Sequence, residues 1–168
     1  MQDFSELDQG AFWRVLGSRA IGMTLVTAGR GENRAGLIAL SAAHVSAAPP
    51  TLLVSVDQST SALSVIRDTG AFAINFLASI DRPVHDRFHP RSGLKGADRF
   101  EGEYWGELKT GSPVLNDAIG AFDCELVEII ERDKVAICLG RAVAARAGDG
   151  DPLVYFKGGF GGWVASDN

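Results

Sequence analysis

The sequence predicts a mainly β fold, about seven strands closing into a barrel with two or three helices at its periphery. Its β-rich runs cluster instead of alternating regularly with helices, which disfavours a doubly wound parallel sheet. Residues 122–131 and 134–145 read as one long hairpin turning at Arg132 and Asp133. In its second arm Val135, Ile137, Leu139 and Val143 are large, whereas Ala136, Cys138, Gly140 and Ala142 are small. One face can fill a core while the other permits close approach, as in small closed barrels. A chain of 168 residues, 46% hydrophobic and 22% charged, suits one globular domain with a substantial core, and residues 1–168 are read as that domain.

The elements follow in chain order. Ser5, as N-cap, with Asp8 in the first turn opens a short helix whose Phe12, Val15 and Leu16 recur at helical spacing before Gly17. The runs 21–28 and 35–45 are strands joined by the loop 29–34, and Pro49 and Pro50 stop the ladder. Residues 51–56 form a short buried strand ended by Asp57. Ser59, Thr60 and Ser61 then precede a helix carrying Ala62, Leu63, Val65 and Ile66 on one face and ending at Gly70. Residues 71–77 return as a strand, and 81–88 form a helix beginning at Pro83. The stretch 89–113, rich in Gly and charge, is read as excursion loops with one short strand. After the long hairpin come a turn at 148–151, a final strand at 153–156 and the glycine-rich tail Gly158 to Gly162.

Charge and composition exclude several classes. A net charge of -5 provides no cationic field for phosphate backbones, so nucleic acid is not expected as a partner. The first ten residues lack the basic and apolar regions of a signal peptide, and Gly, Ser or charge cuts every apolar run short of the roughly 20 residues a bilayer requires. A cytoplasmic protein without membrane contact is expected. Cys124 and Cys138 have no CxxC spacing and read as reduced, buried thiols, with a disulfide between neighbouring strands left open.

Two segments could carry chemistry. The turn Asp57-Gln58-Ser59-Thr60-Ser61 stands before a helix whose first amide N–H groups lack internal partners, so it can anchor a phosphorylated cofactor or can simply be an N-cap. The segment Gly36 to Ser46 is read as a strand that ends in the small residues Ala42, Ala43, Ser46 and Ala47 around Ser41 and His44, where a flat ring could lie against backbone polar groups, or a helix could pack. His44, His85 and His89 have no metal-ligand spacing, and no metal site is expected. There is no GxSxG elbow, Gly148 to Asp151 lacks the later ligands of a calcium loop, and Gly158 to Gly162 is no nucleotide fingerprint. That tail is either flexible access to a site or a terminal turn.

The ordered set of motifs resembles the flavin reductase family with the FMN-binding split-barrel fold, the reductase components of two-component flavin monooxygenases. The resemblance runs from Phe12 to Phe160. It rests on Gly22 to Thr27, Arg34 to Gly36 with Ser41 and Val45-Ser46, Pro49 to Asp57, Ser59-Thr60, Phe72 to Leu77, Asp98 to Phe100 and Gly150 to Phe156. It implies a split β-barrel, a homodimer with flavin near each interface, and an NAD(P)H:flavin oxidoreductase. NADH or NADPH would reduce FMN or FAD for release to a partner monooxygenase; a non-catalytic flavin-binding module or carrier of the same fold is the alternative.

Carried over onto this chain, the resemblance places Leu40, Ser41, Ala42 and Ser46 along the flavin ring and ribityl chain. Asp57, Ser59 and Thr60 would hold the ribityl or phosphate portion. Asn75 matches a strand asparagine that either touches cofactor or fixes a neighbouring loop. No catalytic side chain is implied, because hydride transfer to a flavin requires no protein nucleophile. Three departures stand out: Ile38, Leu40 and Ala43 are apolar where relatives often carry hydroxyls, Val135 occupies a position where many place a histidine, and the tail lacks the basic or histidine residues of some relatives.

Overall fold

The computed structural model describes residues 6–102 and 104–165. Its strands are β1 (Ile21–Gly22), β2 (Thr24–Ala28), β3 (Ala35–Ala39), β4 (Ala43–Ala47), β5 (Pro50–Asp57), β6 (Ala71–Phe76), β7 (Trp105–Glu107), β8 (Pro113–Leu115), β9 (Gly120–Arg132), β10 (Val135–Ala147), β11 (Val154–Phe156) and β12 (Gly159–Gly161). The helices are α1 (Gln9–Leu16), α2 (Ser61–Thr69) and α3 (Arg82–Phe88). Seven strands form one antiparallel sheet in the order β3-β2-β6-β9-β10-β5-β4. Its two edges, β3 and β4, are consecutive in the chain and separated only by Leu40, Ser41 and Ala42. The barrel is split at that linker, and β3 also contacts β5 across the opening.

Two cores lie on either side of this sheet. The first holds Val26, Val54, Val56, Phe72, Ile74 and Cys138, and α2 packs into it through Ala62, Leu63, Val65 and Ile66. Full burial of each of the three larger α2 side chains contributes roughly 1.5–3 kcal/mol, which holds a nine-residue helix that would not persist alone. Gly70, at φ 64°, closes α2 in the left-handed region that glycine enters without strain. The second core gathers Met23, Leu25, Leu77, Val84, Phe88 and Phe100 beneath α3 and the terminal hairpin β11–β12.

The sequence reading needs several adjustments. Asp8, not Ser5, caps α1, accepting from the Ala11 N–H at 2.6 Å; Ser5 lies outside the described residues. The expected inner face of α1 is turned outward, with Phe12 and Val15 exposed and Ala11 buried. The run 35–45 is broken at Leu40 to Ala42, where the chain changes edges of the sheet. Pro50 begins a strand instead of ending one, because a first residue needs no N–H in the ladder. The long hairpin turns at Asp133 and Lys134, since Val135 pairs with Arg132. Residues 89–113 contain short 3-10 turns and β7, and the glycine-rich tail supplies strand β12.

In β10 the small residues face inward. Ala136 and Cys138 are fully buried, and a Cβ at Gly140 would stand 2.5 Å from Phe72 Cζ. The large Ile137 and Leu139 are half-buried on the outer face, beside Leu53 and Ile130. Cys124 pairs with Ala142 and Cys138 with Ile129, so the register keeps the thiols apart and both are free. Burial pushes their pKa values up to about 12 and about 11, which leaves them protonated and unreactive. No helix among the described residues is long and apolar enough to cross a membrane.

Candidate functional site

The split of the barrel brings most of the sequence-derived candidates to one place. Leu40 is half-buried and packs against the second core, Ser41 is exposed, and Ala42 packs against the first core. The Ser41 hydroxyl donates to the Ser55 carbonyl at 3.4 Å, which ties the linker to β5 two residues before Asp57. Leu40, Ser41 and Ala42 therefore sit beside the end of the strand that leads into the Asp57–Thr60 turn.

That turn is organised by its own carboxylate. Asp57 Oδ1 accepts from the Ser59 amide at 2.8 Å and the Ser59 hydroxyl at 2.6 Å, while Thr60 Oγ1 donates to the Asp57 carbonyl at 2.9 Å. The Ser59 hydroxyl and amide, with Lys134 nearby, hold the Asp57 carboxyl below the usual carboxylate range. The Gln58 amide donates to the Lys134 carbonyl at 2.9 Å, fixing the turn against the tip of the β9–β10 hairpin, where Val135 pairs with Asp57. Thr60 makes no side-chain cap, so its hydroxyl does not cover the first amides of α2. An ionised carboxylate accepts well from sugar-alcohol hydroxyls. The start of α2 and the Lys134 ammonium place positive charge beside it.

Two candidates stand apart from the turn. Ser46 pairs with Thr51, six residues before Asp57 on β5, so it stands about 20 Å along the strand from the turn. Its hydroxyl accepts from the Ala48 amide at 3.1 Å and tightens the turn into Pro50. Asn75 is fully buried. Its Nδ2 donates to the Leu25 carbonyl and to Thr27 Oγ1, both at 3.2 Å, and its Oδ1 accepts from the Leu115 amide at 2.8 Å. Of the two roles open for Asn75, this geometry supports the structural one: it pins β8 to β2 and β6, and no ligand at the surface reaches it.

Two open grooves flank the linker. One, of about 690 Å³, runs along Ala42, Ala43, Ser46 and Ala47 to Phe76 and Phe122. The other, of about 960 Å³, is bounded by Leu40, the last turn of α1 and the β11–β12 hairpin. Both are within the size range of small-molecule sites, and the small residues expected to admit a flat ring do face open space. The residues of the larger groove, among them Trp13, Arg19, Tyr155 and Lys157, escaped sequence reading because three distant segments supply them. The usable signal was Phe12 and Trp13 on a helix too short to bury both. No group of His, Cys, Asp and Glu among the described residues could hold a metal ion.

The family described as flavin reductase like domain matches residues 16–164. The FMN reductase (NADH) RutF 2 of Methylorubrum extorquens (strain PA1) is 36% identical over 155 residues, spanning 91% of this chain and 88% of that protein. The FMN reductase (NADH) RutF of Agrobacterium fabrum is 35% identical over 137 residues, spanning 80% and 77%. Among solved structures, BorF, the flavin reductase component of a bacterial two-component tryptophan halogenase, superposes with a TM-score of 0.85 at 28% identity, covering 95% of this chain and all of that one.

Proposed function

The chain belongs to the flavin reductase like domain family, and from that premise we infer that it is an NADH-dependent flavin reductase acting on FMN or FAD. A hydride passes from the reduced nicotinamide to the flavin, and the reduced flavin is delivered to a partner enzyme such as a monooxygenase or halogenase. The observation that carries this reading is the linker Leu40 to Ala42, which stands at the split of the barrel between two grooves that the chain's own side chains leave open.

The residues have defined work. Leu40, Ser41 and Ala42 support the flavin ring, the backbone of this mostly apolar stretch supplying the polar contacts. Asp57 accepts from ribityl hydroxyls, and Ser59, Thr60 and the start of α2 face the phosphate end. The flavin itself is the electron acceptor, so the protein has only to hold the donor carbon at roughly 3–3.5 Å and exclude water. Val135, where many relatives carry histidine, does not interrupt this chemistry, because no protein acid or base has to touch the transferred hydride.

A homodimer completes the reading. Ile137, Leu139, Leu53 and Ile130 form a half-buried apolar outer face on the sheet. A second copy covering that face removes it from water. We place the protein in the cytoplasm, where reduced nicotinamide is at hand; its two buried thiols suit that compartment. Anaerobic mixing with FMN and NADH should bleach the flavin absorbance, and sedimentation should give twice the chain mass of 17.8 kDa. Absence of bleaching with both FMN and FAD overturns the activity, and a monomer at micromolar concentration overturns the dimer.

A further inference from the structure

The glycine-rich tail is ordered around one side chain. β11 and β12 meet at Lys157 and Gly158, whose φ values of 46° and 85° make a tight turn, and among the described residues β12 pairs with no strand but β11. β12 is Gly159-Phe160-Gly161, with Gly158 and Gly162 on either side. Glycine costs the most to order and brings nothing to pack, so such a strand does not hold itself in place. Phe160 is gripped on three sides. Arg82 Cζ lies 3.8 Å from the centre of its ring, the His85 ring meets it edge to face with centroids 4.9 Å apart, and the Tyr155 ring of β11 stands at 5.3 Å. Asp86 fixes both partners on α3: its Oδ1 accepts from Arg82 Nε at 2.8 Å and lies 2.9 Å from His85 Nδ1. His85 is buried and Arg82 exposed, so Arg82 is the outer jaw of the grip.

We propose that Arg82 is a positioning residue for the reaction: it latches Phe160, and with it the β11–β12 hairpin, against α3. The inference rests on the reductase reading above, and the effect is exerted through Phe160. The path continues from Phe160 to Tyr155, and Tyr155 and Leu40 both pack on the second core and both face the larger groove. A seated hairpin therefore gives the flavin linker a fixed neighbour and the groove a fixed wall. An unseated one widens the groove, and reactants that enter are no longer held at reacting distance. A cation over an exposed aromatic face is a modest contact, made and broken at small cost, which suits a wall that must admit and release reactants in every turnover.

Limited trypsin digestion reads the hairpin, steady-state kinetics read the reaction, and thermal melts check that each variant is folded. Lys157 is exposed at the hairpin tip, so the fragment ending there, quantified by mass spectrometry, reports the open population. Arg82→Met keeps the stem and loses the charge; cleavage after Lys157 should rise about threefold, and about tenfold in Phe160→Ala, while Phe160→Tyr, which keeps a ring face, should stay at the wild-type rate. The KM for NADH should rise in the same order, about threefold and about tenfold, with kcat within about twofold of wild type, a split that a general loss of folded protein does not produce. Arg82→Met/Phe160→Ala should be no worse than Phe160→Ala alone, because both changes break one contact. Wild-type cleavage in Arg82→Met, or effects that add in the double variant, overturns the latch, and faster cleavage with an unchanged KM overturns its part in the reaction. Failure of the wild-type protein to reduce flavin sinks the reductase reading instead, and the digestion series still judges the latch.

Discussion

Asn75 and Ser59 are both small polar residues near the end of a strand, and the fold holds them in opposite ways. Asn75 is enclosed, and its amide is shared among the backbones of β2 and β8 and the Thr27 hydroxyl. Ser59 is exposed, and its partner, Asp57, belongs to its own turn. A polar side chain whose bonds join distant strands is committed to the fold, because breaking them strands buried groups without water. One whose bonds are local and solvated can exchange them for a ligand at little cost. The contrast separates stability from binding within one list of candidates, and each half can be broken by mutation.

The largest effect is expected at Asn75. Asn75→Ala removes the partner of the Leu115 amide and of the Leu25 carbonyl, and leaves a cavity beside them. A loss of about 3 kcal/mol follows, a fall in Tm of roughly 6–12 °C for a chain of this length. Flavin affinity of the molecules that remain folded should be unchanged. A variant with wild-type Tm and weakened FMN binding would reverse the assignment and return Asn75 to the site.

Ser59 and Thr60 should behave the other way. Ser59→Ala/Thr60→Ala deletes one exposed and one half-buried hydroxyl, with a stability change under about 1 kcal/mol. FMN affinity, followed by flavin fluorescence, should weaken at least a few-fold, since a hydrogen bond to a charged group is worth roughly 1.5–3 kcal/mol. Equal FMN affinity in the variant and the wild type would mean that the phosphate end is held elsewhere and that the turn serves only to start α2.

Which features were legible in the sequence follows the range of the forces that set them. Local patterns were readable: α2 between a hydroxyl turn and Gly70, the β9–β10 hairpin, and the Asp57–Thr60 turn all announce themselves within about ten residues. The break at Leu40 to Ala42 was not, because no Gly or Pro marks it; it arises where the two edges of a curled sheet are joined, a property of closure. The facing of β10 was also hidden. Alternation shows that two faces differ, but only the bulk of Phe72 against Gly140 decides that the small face is inside. Asn75 has its decisive partner forty residues away, at Leu115. The larger groove draws on α1, the linker and the terminal hairpin, so no window of sequence contains it.

The smallest effect extends the same contrast to two carboxylates. Asp57 is exposed with donors to spare, and its pKa is lowered, so its contribution is present above the unfolded value and lost as pH falls through the folded one. Asp81 is buried at the start of α3. Burial pushes its carboxyl above the usual range against the Ala78 amide that donates to it at 2.7 Å, and Asp117 adds to the rise. The folded state therefore holds that proton more tightly than the unfolded chain, and stability must fall as pH rises from about 4 through the folded pKa. Asp81→Asn keeps an oxygen for Ala78 and removes the titration, so its Tm should exceed that of the wild type at pH 7, by a few degrees at most, with the gap closing toward pH 4. A gap that stays constant across that range, measured by thermal melts at matched ionic strength, would show that Asp81 is satisfied as an ion and that burial alone does not set its cost.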